Sequence, residues 1–233
     1  LDLSEGLELT EEAGLPDTLD REKLQILRDH GATRISINPQ TMDDRVLAIM
    51  GRSHTSADIL RAYEEALAVG HRDINMDLIA GLPGDTPEGF RRTLDKVLSL
   101  APTSITVHTL ALKKAAALYY EKRATLPQAP WVEEMLTWGN AALRAAGYGP
   151  YYLYRQKYMT GSFENVGWCR HGYENLYNIY MMEELHSILS LGAGAMTKRV
   201  SGGTITRLSN PKYPQEYLRD IEAIARKKRE VIL

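Results

Sequence analysis

Asp77 stands inside an otherwise apolar run, DINMDLIAGLPGDT at 73 to 86. An unpaired carboxylate is expensive wherever water is excluded. Alternation along an extended chain puts Ile74, Met76 and Leu78 on one face and Asn75, Asp77 and Ile79 on the other. If helices cover the first face, the second points into an interior. The carboxylate must then meet backbone amides, an arginine or a polar ligand. The GLPGD that follows lies at the strand's carboxyl end, where active-site loops of β/α folds collect. It lacks the lysine and spacing of a nucleotide-binding P-loop and reads as a tight exit turn. Gln40 and Arg52 occupy the loop and helix after a second extended run, RISIN, where an amide and a guanidinium meet either a ligand or solvent. Glu12, in EEAGLPDT, adjoins another turn rich in Gly and Pro.

Other chemistries lack their residues. The six histidines show no metal-ligand spacing, and Cys169 with His171 is too small a set for a metal site. His108 falls inside a third extended run, SITVHTL, and is either packed and hydrogen-bonded or facing a pocket. A β/α-barrel hydrolase or aldolase is disfavoured, since no G-x-S-x-G elbow is present and no Schiff-base lysine can be argued. LGAGA at 191 to 195 is too short for a dinucleotide fingerprint and reads as a close-packed turn.

These residues need strands and helices to hold them. RISIN (34 to 38), DINMDLIAG (73 to 81) and SITVHTL (104 to 110) are predicted strands. Between the first two, TSADILRAYEEALAVG has a capping-box pair, Thr55 and Asp58, and closes on Gly70. Between the second and third, TPEGFRRTLDKVLSLAP has Thr86 as N-cap, Pro87 in the first turn, and Phe90, Leu94, Val97 and Leu98 on one face. Strand, helix, strand, helix, strand predicts βαβ units, hence a parallel sheet or β/α barrel. Beyond residue 125 the expectation is a separate C-terminal region. It comprises a helix, WVEEMLTWGNAALRAAG, with a core stripe of Trp131, Met135, Trp138, Ala142 and Ala146. There follow a strand and a long irregular connection through YGPYYLYRQKYMTGSFENVGWCRHGYENLYNIYMMEE. ILSLGAGAMTKRV is expected as a strand running into a Gly-rich turn, TITRL as another strand, and YPQEYLRDIEAIARKKRE as one terminal helix.

The composition is that of an ordinary globular chain of 233 residues, with a formal net charge of −2 and no electrostatic reason to expect nucleic acid. The short RKKRE run reads as a solvated helix end. No stretch approaches the ~18 apolar residues that span a bilayer, and the acidic start is unlike a signal peptide, so a cytoplasmic location and no membrane partner are expected. The single cysteine excludes an intrachain disulfide and any site needing several thiolates from this chain.

In order and spacing, EEAGLPDT, RISINPQTMDDRVLAIMGRSHT, INMDLIAGLPGDTPEGF, ITVHTLALKKAA and LSLGAGAMTKR resemble the oxygen-independent coproporphyrinogen III dehydrogenases of the radical S-adenosylmethionine (SAM) superfamily. YYLYRQKYMTGSFENVGW resembles the branch found in Firmicute-type bacteria. The resemblance implies an α/β fold, a partial (β/α) barrel of radical SAM type with a C-terminal α+β extension, the barrel portion ending near residue 125. It implies SAM and a [4Fe-4S] cluster as cofactors, a tetrapyrrole substrate and an electron donor. The reaction implied is oxidative decarboxylation of two propionates of coproporphyrinogen III in haem synthesis. It carries the SAM-contacting positions onto Glu12, Gln40, Arg52, Asp77, Ala111 and Met196, and names no catalytic side chain. Carboxylates, amides and an arginine suit a ligand bearing an ammonium, a sulfonium, a carboxylate and a diol.

Two departures accompany it. Leu15 stands where the family usually has Arg, and the family's C-x-x-x-C-x-x-C loop is absent, so no cluster can be held by thiolates here. The expectation is therefore the C-terminal portion of a longer enzyme, inactive in isolation, or else a cluster-free haem-binding relative of the same fold.

Overall fold

The computed structural model describes residues 8–111, 126–154 and 163–232. The end of ITVHTLALKKAA and the middle of YYLYRQKYMTGSFENVGW lie outside the described residues. The chain forms two compact units, Leu1–Asn175 and Leu176–Leu233.

The first unit is built on a sheet of β1 (Thr10–Glu12), β2 (Arg34–Ser36), β3 (Asp73–Ala80), β4 (Ser104–Thr109), β5 (Gly149–Tyr154) and β6 (Asn165–Cys169). The spatial order is β1-β2-β3-β4-β6-β5. The first four strands are parallel, and β6 and β5 continue the sheet antiparallel. The sheet is open, so the expected α/β architecture with a partial barrel is what forms. Helices α1 (Arg21–Asp29), α2 (Asp44–Ile49), α3 (Ser56–Ala68) and α4 (Pro87–Leu100) connect the parallel strands, and α5 (Ala129–Ala145) precedes β5. Their ends are set by local chemistry. Thr55 and Asp58 form a reciprocal capping box on α3, and the Thr86 hydroxyl accepts from the Gly89 amide at 3.0 Å to start α4 behind Pro87.

Burial in β3 alternates strictly. Ile74, Met76, Leu78 and Ala80 are buried, and the residues between them are half-buried. The buried set joins Ile35, Ile37, Ile105, Val107 and Trp168 in one core with Leu24, Ile59, Phe90, Leu94, Val97, Met135 and Leu143 from the helices. Each large side chain removed from water contributes about 1.5–3 kcal/mol, so this layer is what fixes the sheet's orientation.

Four expectations change. The stretch after β5 is not one irregular connection: it contains β6 and, in the second unit, α6 (Leu176–Met182). The α5 stripe is rotated, burying Val132, Met135, Gly139 and Leu143, while Trp131 is 48% exposed and Trp138 packs against the core edge. Gly139 decides the rotation: a Cβ there would lie 3.2 Å from Phe90 Cε1, so α5 approaches α4 through its smallest residue. β7 (Met196–Ser201) follows the Gly-rich turn instead of preceding it, and pairs with β8 (Thr204–Ser209) across Gly202 and Gly203, both at positive φ as a tight hairpin requires. The terminal helix is two, α7 (Pro214–Arg219) and α8 (Ile221–Ile232), parted at Asp220, whose carboxylate binds the Arg219 guanidinium at 2.8 and 2.9 Å.

Candidate functional site

The face of the sheet away from the helices is polar. Register aligns Glu12 with Ser36, Ser36 with Asn75, Asp77 with Thr106, and Thr106 with Gly167. The side chains bond across the strands in one chain. The Asn75 amide donates to Asp77 Oδ1 at 2.7 Å and to Ser36 Oγ at 3.0 Å. The Ser36 hydroxyl donates to Asn38 Oδ1 at 2.8 Å, and the Asn38 amide to Glu12 Oε2 at 3.1 Å. On the other side, the His108 imidazole lies with Nε2 at 3.4 Å from Asp77 Oδ2, and the Tyr154 hydroxyl meets His108 Nδ1 at 3.1 Å.

One end of this face is sealed. Arg34, 3% exposed, pairs with Asp73 at 2.9 Å, and Asp73 accepts from Thr103 Oγ1 at 2.6 Å. The other end, at the carboxyl ends of β3 and β4, is open. A cavity of about 290 Å³ there is lined by Ile79, His108, Thr109, Leu110, Ala111, Tyr154 and Asn165.

Gln40 is placed by the backbone. Its N–H donates to the Asp77 carbonyl at 2.9 Å, and its carbonyl accepts from the Ile79 N–H at 3.0 Å. To do this it adopts φ +64°, a left-handed conformation costly for a residue with a Cβ. Arg52 follows Gly51 at the turn after α2 and is half-buried beside His54, whose imidazole is buried and held below its ordinary pKa by that burial. Among the described residues neither Glu12 nor Asp77 has a lysine or arginine partner, and Arg52 has no carboxylate within ion-pair distance.

The structure therefore joins Glu12, Gln40 and Asp77 in one network and puts Ala111 beside His108 in the cavity at its end. Met196 lies in the second unit, at the first position of β7, 47% exposed. Sequence reasoning put Asn75 on the face of Asp77 but missed Ser36, Asn38, Thr106, Tyr152 and Tyr154. The signal was present: the alternation applied to Asp77 also puts Ser36 with Asn38, and Thr106 with His108, on matching faces.

Tyr152 and Tyr154 reach the site because of Gly167. A Cβ on Gly167 would stand 1.8 Å from Tyr152 Cε1, so the ring of Tyr152 lies across the bare backbone of β6. It thereby reaches the Thr106 hydroxyl on β4, and burial drives its phenol pKa upward. Tyr154 stacks parallel to Tyr152 at 6.2 Å.

The lone thiol has no part in this mouth. Cys169 pairs in register with Ser104, the first residue of β4, and is buried, with its pKa pushed up to about 12 by desolvation. Among the described residues no cluster of three or more His, Cys, Asp or Glu could hold a metal ion, and no helix is long and apolar enough to cross a membrane.

Residues 7–97 match the model of the Radical SAM superfamily. The chain is 42% identical over 213 residues to the oxygen-independent coproporphyrinogen-III oxidase-like protein HemZ of Bacillus subtilis, covering 90% of this chain and 42% of that protein. It is 30% identical over 221 residues to the heme chaperone HemW of Haemophilus influenzae, covering 94% and 54%. In fold it is similar to the coproporphyrinogen III oxidase HemN of Escherichia coli, a radical SAM enzyme, with TM-score 0.72 and 23% identity, covering 93% of this chain and 49% of that one. The chain thus spans about half the length of these relatives or less.

Proposed function

We propose, for a chain that carries the radical SAM domain over residues 7–97, that its polar sheet face binds SAM and serves a coproporphyrinogen dehydrogenase-type reaction on a tetrapyrrole. The observation that carries this reading is the set of uncompensated charges around one clamped backbone. Among the described residues Asp77 and Glu12 have no lysine or arginine to neutralise them, and Gln40 is fixed beside Asp77. SAM offers two cationic centres for the carboxylates, a carboxylate for Arg52 and hydroxyls for the amides, so these residues fit it. Ala111 leaves room at the mouth where a larger residue would fill the cavity.

SAM supplies radical chemistry only when a reduced iron–sulfur cluster cleaves it, and the thiolates for a cluster are not among these residues: the buried, protonated Cys169 does not fit that role. Our reading gives these residues the work of binding and orienting the ligand, with an electron donor and the tetrapyrrole as partners, in the cytoplasm. Titration of the chain with SAM in a calorimeter tests it. Binding should be measurable in the wild type and at least about tenfold weaker in Asp77→Asn, roughly 1.4 kcal/mol, without release of 5′-deoxyadenosine. Absence of SAM binding would overturn the reading.

A second reading is favoured by the similarity to the heme chaperone HemW: the chain is a haem-binding relative. Haem binding seen by its absorbance, unaffected by Asp77→Asn and occurring without SAM affinity, would select it.

A further inference from the structure

Tyr154, His108 and Asp77 come from three strands, β5, β4 and β3, and make one line of polar contacts ending at the mouth of the sheet. Each link constrains the next. The Tyr154 hydroxyl lies 3.1 Å from His108 Nδ1, a contact in which either group can donate. A neutral imidazole has one acceptor and one donor, and a carboxylate only accepts, so the favoured tautomer carries N–H on Nε2, which lies 3.4 Å from Asp77 Oδ2, and leaves Nδ1 to accept from the phenol. The other tautomer would set a lone pair against the carboxylate. Asp77 Oδ1 is meanwhile held by the Asn75 amide at 2.7 Å. One carboxylate oxygen is thus tethered from within the sheet and the other faces the imidazole, with their remaining lone pairs left for a ligand.

We propose that Tyr154 and His108 are positioning residues for Asp77: the phenol fixes the imidazole tautomer, and the imidazole fixes the direction in which the carboxylate is offered to a cationic ligand. The second half rests on the function proposed above; the first half does not. The tyrosine is no incidental neighbour. Its ring is edge-on to His108, with centroids 6.2 Å apart and planes at 69°, and it stacks on Tyr152, which itself needs Gly167 to lie where it does.

β3 presents Asp77 to the imidazole, β5 presents Tyr154 with Tyr152 behind it, and β6 presents the uncharged Asn165 and Gly167. Glu12 connects to this group through Asn75, Ser36 and Asn38.

Two measurements on the chain decide this. The ring-nitrogen NMR shifts of His108, read without any ligand, should show the Nε2–H tautomer in the wild type and a mixture of tautomers in Tyr154→Phe. An unchanged tautomer in Tyr154→Phe would overturn the role of the phenol. In calorimetric titration with SAM, His108→Gln, whose amide N–H replaces Nε2–H, should bind within a few-fold of wild type, and His108→Ala roughly tenfold more weakly. Equal affinity in His108→Ala and wild type would overturn the role of the imidazole. If SAM does not bind, the ligand reading fails, and the NMR measurement still decides the tautomer relay.

Discussion

Gln40 is bonded through its backbone to both sides of Asp77's strand position, its N–H to the Asp77 carbonyl and its carbonyl to the Ile79 N–H, and it holds φ +64° to make both bonds. A loop residue and a strand residue 37 positions apart thus move as one piece. The conformation is one glycine would adopt without strain, so the side chain is kept at a local cost.

Gln40→Gly should accordingly leave stability unchanged or raise it by up to about 1 kcal/mol, the left-handed strain relieved less the extra chain entropy of glycine. SAM affinity should fall. Urea unfolding beside calorimetry separates the two effects. A loss of more than about 1 kcal/mol of stability would mean that the amide holds the loop rather than a ligand.

Gly167→Ala should be severe. The new methyl would overlap the Tyr152 ring, and the backbone of a central strand has no easy way to yield. Expelling Tyr152 breaks its bond to Thr106 and takes away the platform for Tyr154. We expect a loss of about 1–3 kcal/mol in chemical denaturation. Tyr152→Ala in the same background should recover part of it, because the clash then has no partner.

Asp85 sets a pH dependence of stability. Its carboxylate, 3% exposed, accepts from the Thr86 N–H at 2.8 Å through Oδ1, while Oδ2 is buried without a hydrogen-bond partner among the described residues. Burial pushes its pKa up to about 6 from an ordinary 3.8. A folded-state pKa raised in this way gives stability that is complete below the unfolded value and lost as pH rises through the folded one. Between about pH 4 and about pH 7 this group should remove on the order of 3 kcal/mol, and Asp85→Asn should abolish that component of the slope. Thermal unfolding across this range, wild type against variant, is the measurement.

On α5, Met135→Ala should cost about 2–5 kcal/mol and Trp131→Ala under about 1 kcal/mol, since Met135 is fully buried and Trp131 half exposed. Equal losses would restore the stripe expected from the sequence.

What could be read from the chain and what could not divide along one physical line. Caps, helix entry by Pro87 and the two faces of β3 are local, decided within a few residues, and Asp77's orientation followed from alternation alone. The α5 stripe held at Met135, with Trp138, Ala142 and Ala146 against the core, but not at Trp131, because helical spacing alone does not disclose that close approach to Phe90 is made by Gly139. β6 was hidden for a related reason. Gly167 in NVGWC reads as a strand breaker, yet it is required by a ring from β5 whose place no local pattern discloses. The meeting of Tyr154 with His108, 46 positions apart, depends on strand order, which no local pattern announces.

That strand order bears on how the mouth comes into being. β5 precedes β6 in the chain but sits outside it in the sheet, and so joins the parallel strands only through residues 165–169 on β4. Asp77, Asn75 and Ser36 can be assembled by the parallel strands alone. The aromatic side of the same site waits for a hairpin to invert onto the edge of β4. Folding of this unit should therefore finish at Tyr154, and hydrogen exchange should find the β5 amides the first to open and the last to gain protection.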